Sequence, residues 1–199
     1  MSDSGESISD HMYRMSLITM FAPPSLHVDV AHCTKMALIH DMAEALVGDI
    51  TPVDGVPKHE KNRRESTTMD YLTKTLLGRV NGGLTAEGIR SIWQEYEDGK
   101  TKESIFVHDV DKLELLLQMV EYERANEHRL DLGEFSWVAS RIELDEMKIW
   151  SDEILKEREV FWVGKEHRSY QTGDEVKHLG AKLEYYSHNL NGKEAEEEK

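Results

Sequence analysis

Cysteine is nearly absent from this chain of 199 residues, with Cys33 its single example. No disulfide framework exists, so the core must hold by packing alone. A catalytic thiol is one use for Cys33; a small core residue on an apolar face is the simpler one. Proline is confined to Pro23, Pro24, Pro52 and Pro57, which punctuate the chain early and leave the rest free to be helical. Long apolar runs are missing as well. Nothing approaches the roughly 20 residues of a membrane span, and Met1-Ser2-Asp3-Ser4-Gly5-Glu6 is acidic rather than a signal peptide. Basic residues are outnumbered, 24 against 39 acidic ones, for a formal net charge of −15. Such a surface repels nucleic acid backbones and acidic membranes. It does not repel a small phosphorylated ligand where a metal supplies local positive charge. The expected setting is cytoplasmic, with the nucleus reachable by diffusion.

What is present is charge at helical spacing, and one stretch concentrates it. Ile39 to Ile50 contains His40-Asp41, then Glu44, then Gly48-Asp49. Val30, Cys33, Ala37, His40 and Glu44 follow steps of three and four, which predicts one helix carrying His40 and Glu44 on an otherwise apolar face. Asp41 sits about 100° further round and can reach the same cavity. Gly48 stops the helix, and Asp49 enters a loop held by Pro52 and Pro57. Polar groups ending an apolar stripe are costly to bury unless satisfied. A divalent ion would satisfy them through a neutral imidazole nitrogen and a carboxylate oxygen. The plain alternative is a solvated helix end.

Elsewhere the pattern is helical throughout, with no period-two stretch long enough for a strand. Ser7 and Asp10 have the spacing of a capping box. The helix they open places Ile8, Met12, Met15 and Ile18 inward and ends at Pro23. His11 lies at the edge of that stripe, where a lone histidine is more often a core residue than a ligand. Lys58 opens a charged run that reads as one helix through Leu77, with Met69, Leu72 and Leu76 inward. Its charges form a solvated face, unless Lys58 or Arg64 reaches a substrate phosphate. Gly78 to Leu84 reads as a flexible loop, and Ile89, Ile92, Trp93 and Tyr96 mark an amphipathic helix broken at Gly99.

Thr101 caps the next helix, whose stripe is Phe106, Val110, Leu113, Leu117 and Val120. Asp111 stands against that stripe and needs a partner; Glu114 either supports it or is exposed. Arg124 to Leu132 reads as a polar connection. Two further helices span Phe135 to Ile142 and Leu144 to Leu155, anchored by Trp137, Ile149 and Trp150. Residues 166–199 read as a peripheral extension. It holds a helix between Tyr170 and Asn191 and ends in a disordered acidic tail.

His11, His40-Asp41 and Asp111, each on a separate helix, follow the order His…His-Asp…Asp. That order resembles the HD-domain metal phosphohydrolases. Three stretches narrow the resemblance to the eukaryotic HD-domain 5′-deoxynucleotidases. They are Glu6-Ser-Ile-Ser-Asp-His-Met-Tyr-Arg-Met15, His40-Asp-Met-Ala-Glu-Ala-Leu-Val-Gly-Asp-Ile50 and Pro57-Lys-His-Glu-Lys-Asn-Arg-Arg-Glu65. The resemblance runs from about Glu6 to Leu155, within a domain spanning 1–165. It implies an all-α helical bundle with a central divalent metal that removes phosphate from deoxynucleoside 5′-monophosphates. By that likeness His11, His40, Asp41 and Asp111 are ligands of the main ion. Glu44 and Asp49 serve catalysis or, with the carbonyl of Ile50, a further ion.

The ion is expected to be cobalt, manganese or magnesium, and the assembly a homodimer. Relatives also carry an earlier segment whose arginine and tryptophan contact substrate. Met1 stands too close to Glu6 for it, so a shortened chain or natural form lacking part of the pocket is expected. The competing readings are a phosphohydrolase of cyclic or alarmone nucleotides and a metal-bound helical dimer that binds without turnover.

Overall fold

A computed structural model describes residues 6–51 and 54–168. Among the described residues every regular element is helical. None of the helices is long and apolar enough to cross a membrane. In order they are α1 (Ile8–Thr19), α2 (Val30–Ala37), α3 (Glu44–Val47), α4 (Lys58–Asp70), α5 (Leu84–Asp98), α6 (Lys102–Ala125) and α7 (Asp145–Phe161).

The longest helix, α6, is the axis on which the others assemble. Thr101 and Ser104 start it with a reciprocal capping box, each side chain accepting from the other's backbone at 3.1 Å. Phe106, Val107, Val110, Leu113 and Leu116 are buried along it. They meet Met15 of α1, Cys33, Met36 and Ala37 of α2, and Met147 of α7 in one core. Burying such side chains stabilises by about 1.5–3 kcal/mol each, which makes α6 the main source of cohesion. Leu116 is the fully buried residue where the spacing favoured Leu117. A second cluster joins Ala43, Met69 and Trp93.

Buried charge fixes α7 against α6. Arg158 grips Glu123 in a bidentate pair, both contacts at 2.9 Å, and also reaches Asp131 at 2.9 Å. Trp162 donates its indole N–H to Glu123 at 2.8 Å. Asp109, fully buried on α6, accepts from the backbone N–H groups of Glu143 and Leu144 and thereby holds the chain where it enters α7. The expected polar connection after Arg124 is therefore shorter than its composition suggested, because α6 runs to Ala125 and Asp131 joins this network. A 3₁₀ segment, Gly133–Arg141, stands where a helix from Phe135 was expected. Ile149 is 62% exposed rather than an anchor.

Two expected helices are interrupted, the first where a side chain takes a backbone carbonyl. The helix expected from Val30 through His40 to Glu44 stops at Ala37. His40 Nδ1 bonds the Ala37 carbonyl at 3.0 Å, competing for the oxygen that Asp41 N–H would use in a continued helix. Tight turns follow, Met42 N–H to Ile39 and Glu44 N–H to Asp41, both at 3.0 Å, before α3 begins. The helix expected to reach Leu77 widens into a π turn at Tyr71–Leu76. There Thr73 Oγ1 donates to the Met69 carbonyl at 2.6 Å. The extra residue per turn shifts the phase, so Leu76 points outward at 56% exposure.

Candidate metal centre

Three elements bring their polar residues to one place. His11 comes from the first half of α1, Asp111 from α6, and His40 and Asp41 from the turns after α2. His11 Nε2 lies 3.4 Å from Asp111 Oδ1 and 3.7 Å from Asp41 Oδ2. His40 Nε2 lies 3.1 Å from Asp41 Oδ2. Donor atoms of His11, His40 and Asp111 fall within 4.8 Å of one another. The His40 side chain is 1% exposed, whereas Asp41 and Asp111 keep 26% and 37%, so the cluster opens to solvent on its carboxylate side.

The ring of His40 tests whether a metal suits this set. Its Nδ1 is committed to the Ala37 carbonyl, which it can reach only as a donor. Nε2 is buried and, although close to Asp41, not aligned for a hydrogen bond. A neutral ring then turns a lone pair towards carboxylate oxygens, an arrangement that a cation between them relieves. Two imidazoles and two carboxylates, with no thiolate, suit a borderline or hard divalent ion.

Proton affinities respond to the same crowding. Burial opposes charge on His11, but hydrogen bonds and attraction from Asp111 and Glu114 prevail and raise it to about 11. His40 is also raised: burial opposes this, and the pull of Asp41 outweighs it. Burial pushes the Asp111 carboxyl up, yet the neighbouring histidines hold it below the usual range. Tyr96, buried beneath the cluster, donates its hydroxyl to Asp111 Oδ2 at 3.2 Å and lies against the His40 ring at 4.8 Å.

A second group borders the first. Glu44 opens α3, and Gly48 ends it with φ +76° and ψ 161°, turning the chain so that Asp49 is exposed and Ile50 buried. Lys61 of α4 donates to the Ile50 carbonyl at 3.1 Å and lies 3.5 Å from Glu44 and from Glu65. Burial, with repulsion from Asp41 and Asp49, pushes Glu44 up to about 8. Glu97 is pushed up to about 7, again by burial and then by Glu65. Cys33 lies in the core with its thiol raised by burial to about 12, which removes it as a nucleophile.

Sequence reasoning left several of these neighbours unassigned. Lys61 was submerged in a run of mixed charge, where Lys58 and Arg64 drew attention instead. Its i,i+4 relation to Glu65 was the available signal. Glu114 bonds His11 Nδ1 at 2.8 Å, and Arg14 holds Glu114 at 2.7 Å. Both follow a cluster residue by three positions, a weak hint of a shared face.

The family description "HD domain" matches residues 1–150. The chain belongs to the HD domain family. Among its HD domain relatives, 5′-deoxynucleotidase hdd1 of Schizosaccharomyces pombe is 46% identical over 79% of this chain and 78% of its own length. 5′-Deoxynucleotidase YGK1 of Saccharomyces cerevisiae is 42% identical over 80% of this chain and 74% of its own. The solved structure of HD domain-containing protein YGK1 superposes with a TM-score of 0.65 at 36% identity, covering 79% of this chain and 80% of that one. The all-α bundle is thus the HD domain fold, and α1, the turns after α2, and α6 are the parts of it that converge.

Proposed function

We propose that this protein is a metal-dependent 5′-deoxynucleotidase that hydrolyses deoxynucleoside 5′-monophosphates to deoxynucleosides and phosphate. The observation that carries the reading is the buried His40 nitrogen turned towards Asp41 beside His11 and Asp111. The names of the hdd1 and YGK1 relatives supply the substrate class. His11, His40, Asp41 and Asp111 would hold the main ion, with cobalt, manganese or magnesium the candidates that nitrogen and oxygen donors suit. When bound, that ion supplies Lewis acidity towards a phosphoryl oxygen and a lowered pKa for water.

The remaining work falls to the chain's own groups. Glu44, whose carboxyl is poised at about 8, can both accept and return a proton near neutrality. It is the candidate for moving the proton from water to the leaving 5′-oxygen. Lys61 restrains it from one side, and Asp49 with the Ile50 carbonyl completes the set proposed for a further ion or for catalysis. The partly exposed carboxylates of Asp41 and Asp111 leave the cluster open to a small ligand. Likeness to the family extends the proposal to a homodimer in the cytoplasm or nucleus.

The test is phosphate release from dAMP by the purified chain with cobalt, set beside release from cyclic nucleotides. Release from dAMP that disappears in His40→Ala supports the reading. Metal binding without release from dAMP replaces it with a binding role, and preference for a cyclic nucleotide replaces the substrate class.

A further inference from the structure

Two sets of side chains compete for one imidazole. The donor atoms of His11, His40 and Asp111 lie within 4.8 Å of one another, and so do those of Glu6, His11 and Glu114. A neutral ring offers a lone pair on only one nitrogen, so something must decide which face of His11 is free to ligate.

The deciding contacts lie behind the ring. Glu114 is 1% exposed, and its Oε2 sits 2.8 Å from His11 Nδ1. Its Oε1 lies 2.7 Å from Arg14 Nε, and Arg14 stands one helical turn beyond His11 on α1. The same guanidinium reaches Glu121 at 2.6 Å and Glu6 at 3.6 Å. The cation facing Glu6, Glu114 and Glu121 is therefore Arg14, which meets Glu114 Oε1 as an ion pair without an aligned hydrogen bond. A carboxylate paired with arginine accepts hydrogen bonds and donates none. Nδ1 of His11 must therefore carry the proton, and Nε2 is left facing Asp41 and Asp111.

We propose that Glu114, held by Arg14, is a positioning residue. It fixes His11 with Nδ1–H donated away from the cluster and Nε2 turned into it. The inference rests on the reading of the cluster as a metal centre. Carboxylates that orient ligating histidines typically change metal affinity by about 10–100-fold when replaced.

The experiment compares the full chain with Glu114→Leu and Glu114→Gln by calorimetric titration with manganese. It adds nitrogen-15 spectra of the imidazoles in the zinc-loaded protein. Glu114→Leu should bind manganese about 10–100-fold more weakly and lose the hydrogen-bonded Nδ1–H resonance of His11. Glu114→Gln keeps an acceptor, so it should retain that resonance and most of the affinity. Unchanged affinity in Glu114→Leu would overturn the proposal, as would a parent protein whose His11 ligates zinc through Nδ1. Should Glu114→Leu fail to fold, the parent spectrum decides alone, since the Nδ1–H signal is either there or replaced by a metal-bound nitrogen. None of these readouts involves substrate. Failure to release phosphate from dAMP therefore sinks the nucleotidase reading only, while a parent that binds neither ion sinks both.

Discussion

Asp111 stands beside the apolar stripe of α6 and yet points its carboxylate at two histidines from other elements. A metal that binds the folded chain alone would stabilise it by about 2.7 kcal/mol at a hundred times its dissociation constant. Asp111→Ala should therefore abolish most of the rise in melting temperature that manganese produces, as scanning calorimetry can measure. An undiminished rise places the ion elsewhere. Glu44 calls for a different outcome, because it lies outside the His/Asp group. Glu44→Ala should lower phosphate release from dAMP by about 10²–10⁴-fold while elemental analysis finds the main metal retained. Loss of metal in step with activity would make Glu44 a ligand instead of a proton carrier. Residues of this kind were legible because an ionisable group against an apolar stripe demands a partner. Glu114, Tyr96 and Lys61 were not, since their meaning depends on which side chain a different helix presents. Sequence spacing carries no such information.

Helices as such follow from periodicity, and the capped starts at Ser7 and Thr101 could be placed from residue type. Their interruptions could not. His40 takes a carbonyl, and a histidine gives no notice in the sequence that its side chain will turn inward onto its own backbone. The break at His40 matters most, because tight turns rather than a continuous helix set the direction of Asp41 and Glu44. Gly48 closes that stretch with φ +76° and ψ 161°, a region open almost only to glycine. A Cβ there would meet nothing within 4 Å, so crowding plays no part and backbone strain acts alone. Gly48→Ala should lower unfolding free energy by about 1–3 kcal/mol, read from denaturant titration. Relief of the strain would shift the adjoining Asp49 and Ile50, so dAMP hydrolysis should fall with it. A variant as stable as the parent would show that α3 ends equally well another way.

At the scale of the molecule, an all-α bundle was legible from composition and period, whereas the meeting of α1, the turns after α2, and α6 at one point was not deducible from spacing. That meeting concentrates charge in a chain already at net −15, and it dictates how stability follows pH when no metal is present. The imidazole of His11 is held at about 11 against an ordinary 6.5. The folded chain keeps this proton where the unfolded chain releases it, so the stabilisation is complete below 6.5 and lost as pH rises towards 11. Glu44 at about 8 and Glu97 at about 7, both against 4.5, also bind protons more tightly when folded. Stability therefore falls as pH rises from 4.5 through those values. The depressed Asp111 acts in the opposite sense, but only below its ordinary 3.8. The melting temperature of the metal-free protein should accordingly decline from roughly pH 5 to roughly pH 9. On the proposed reading a divalent ion would take the place of the His11 proton, offset the crowded carboxylates and bind better as protons leave. With saturating manganese the decline should flatten, and the two curves should converge only at the acidic end. Parallel declines with and without metal would mean that the responsible groups lie outside the cluster, in the general repulsion of an acidic surface.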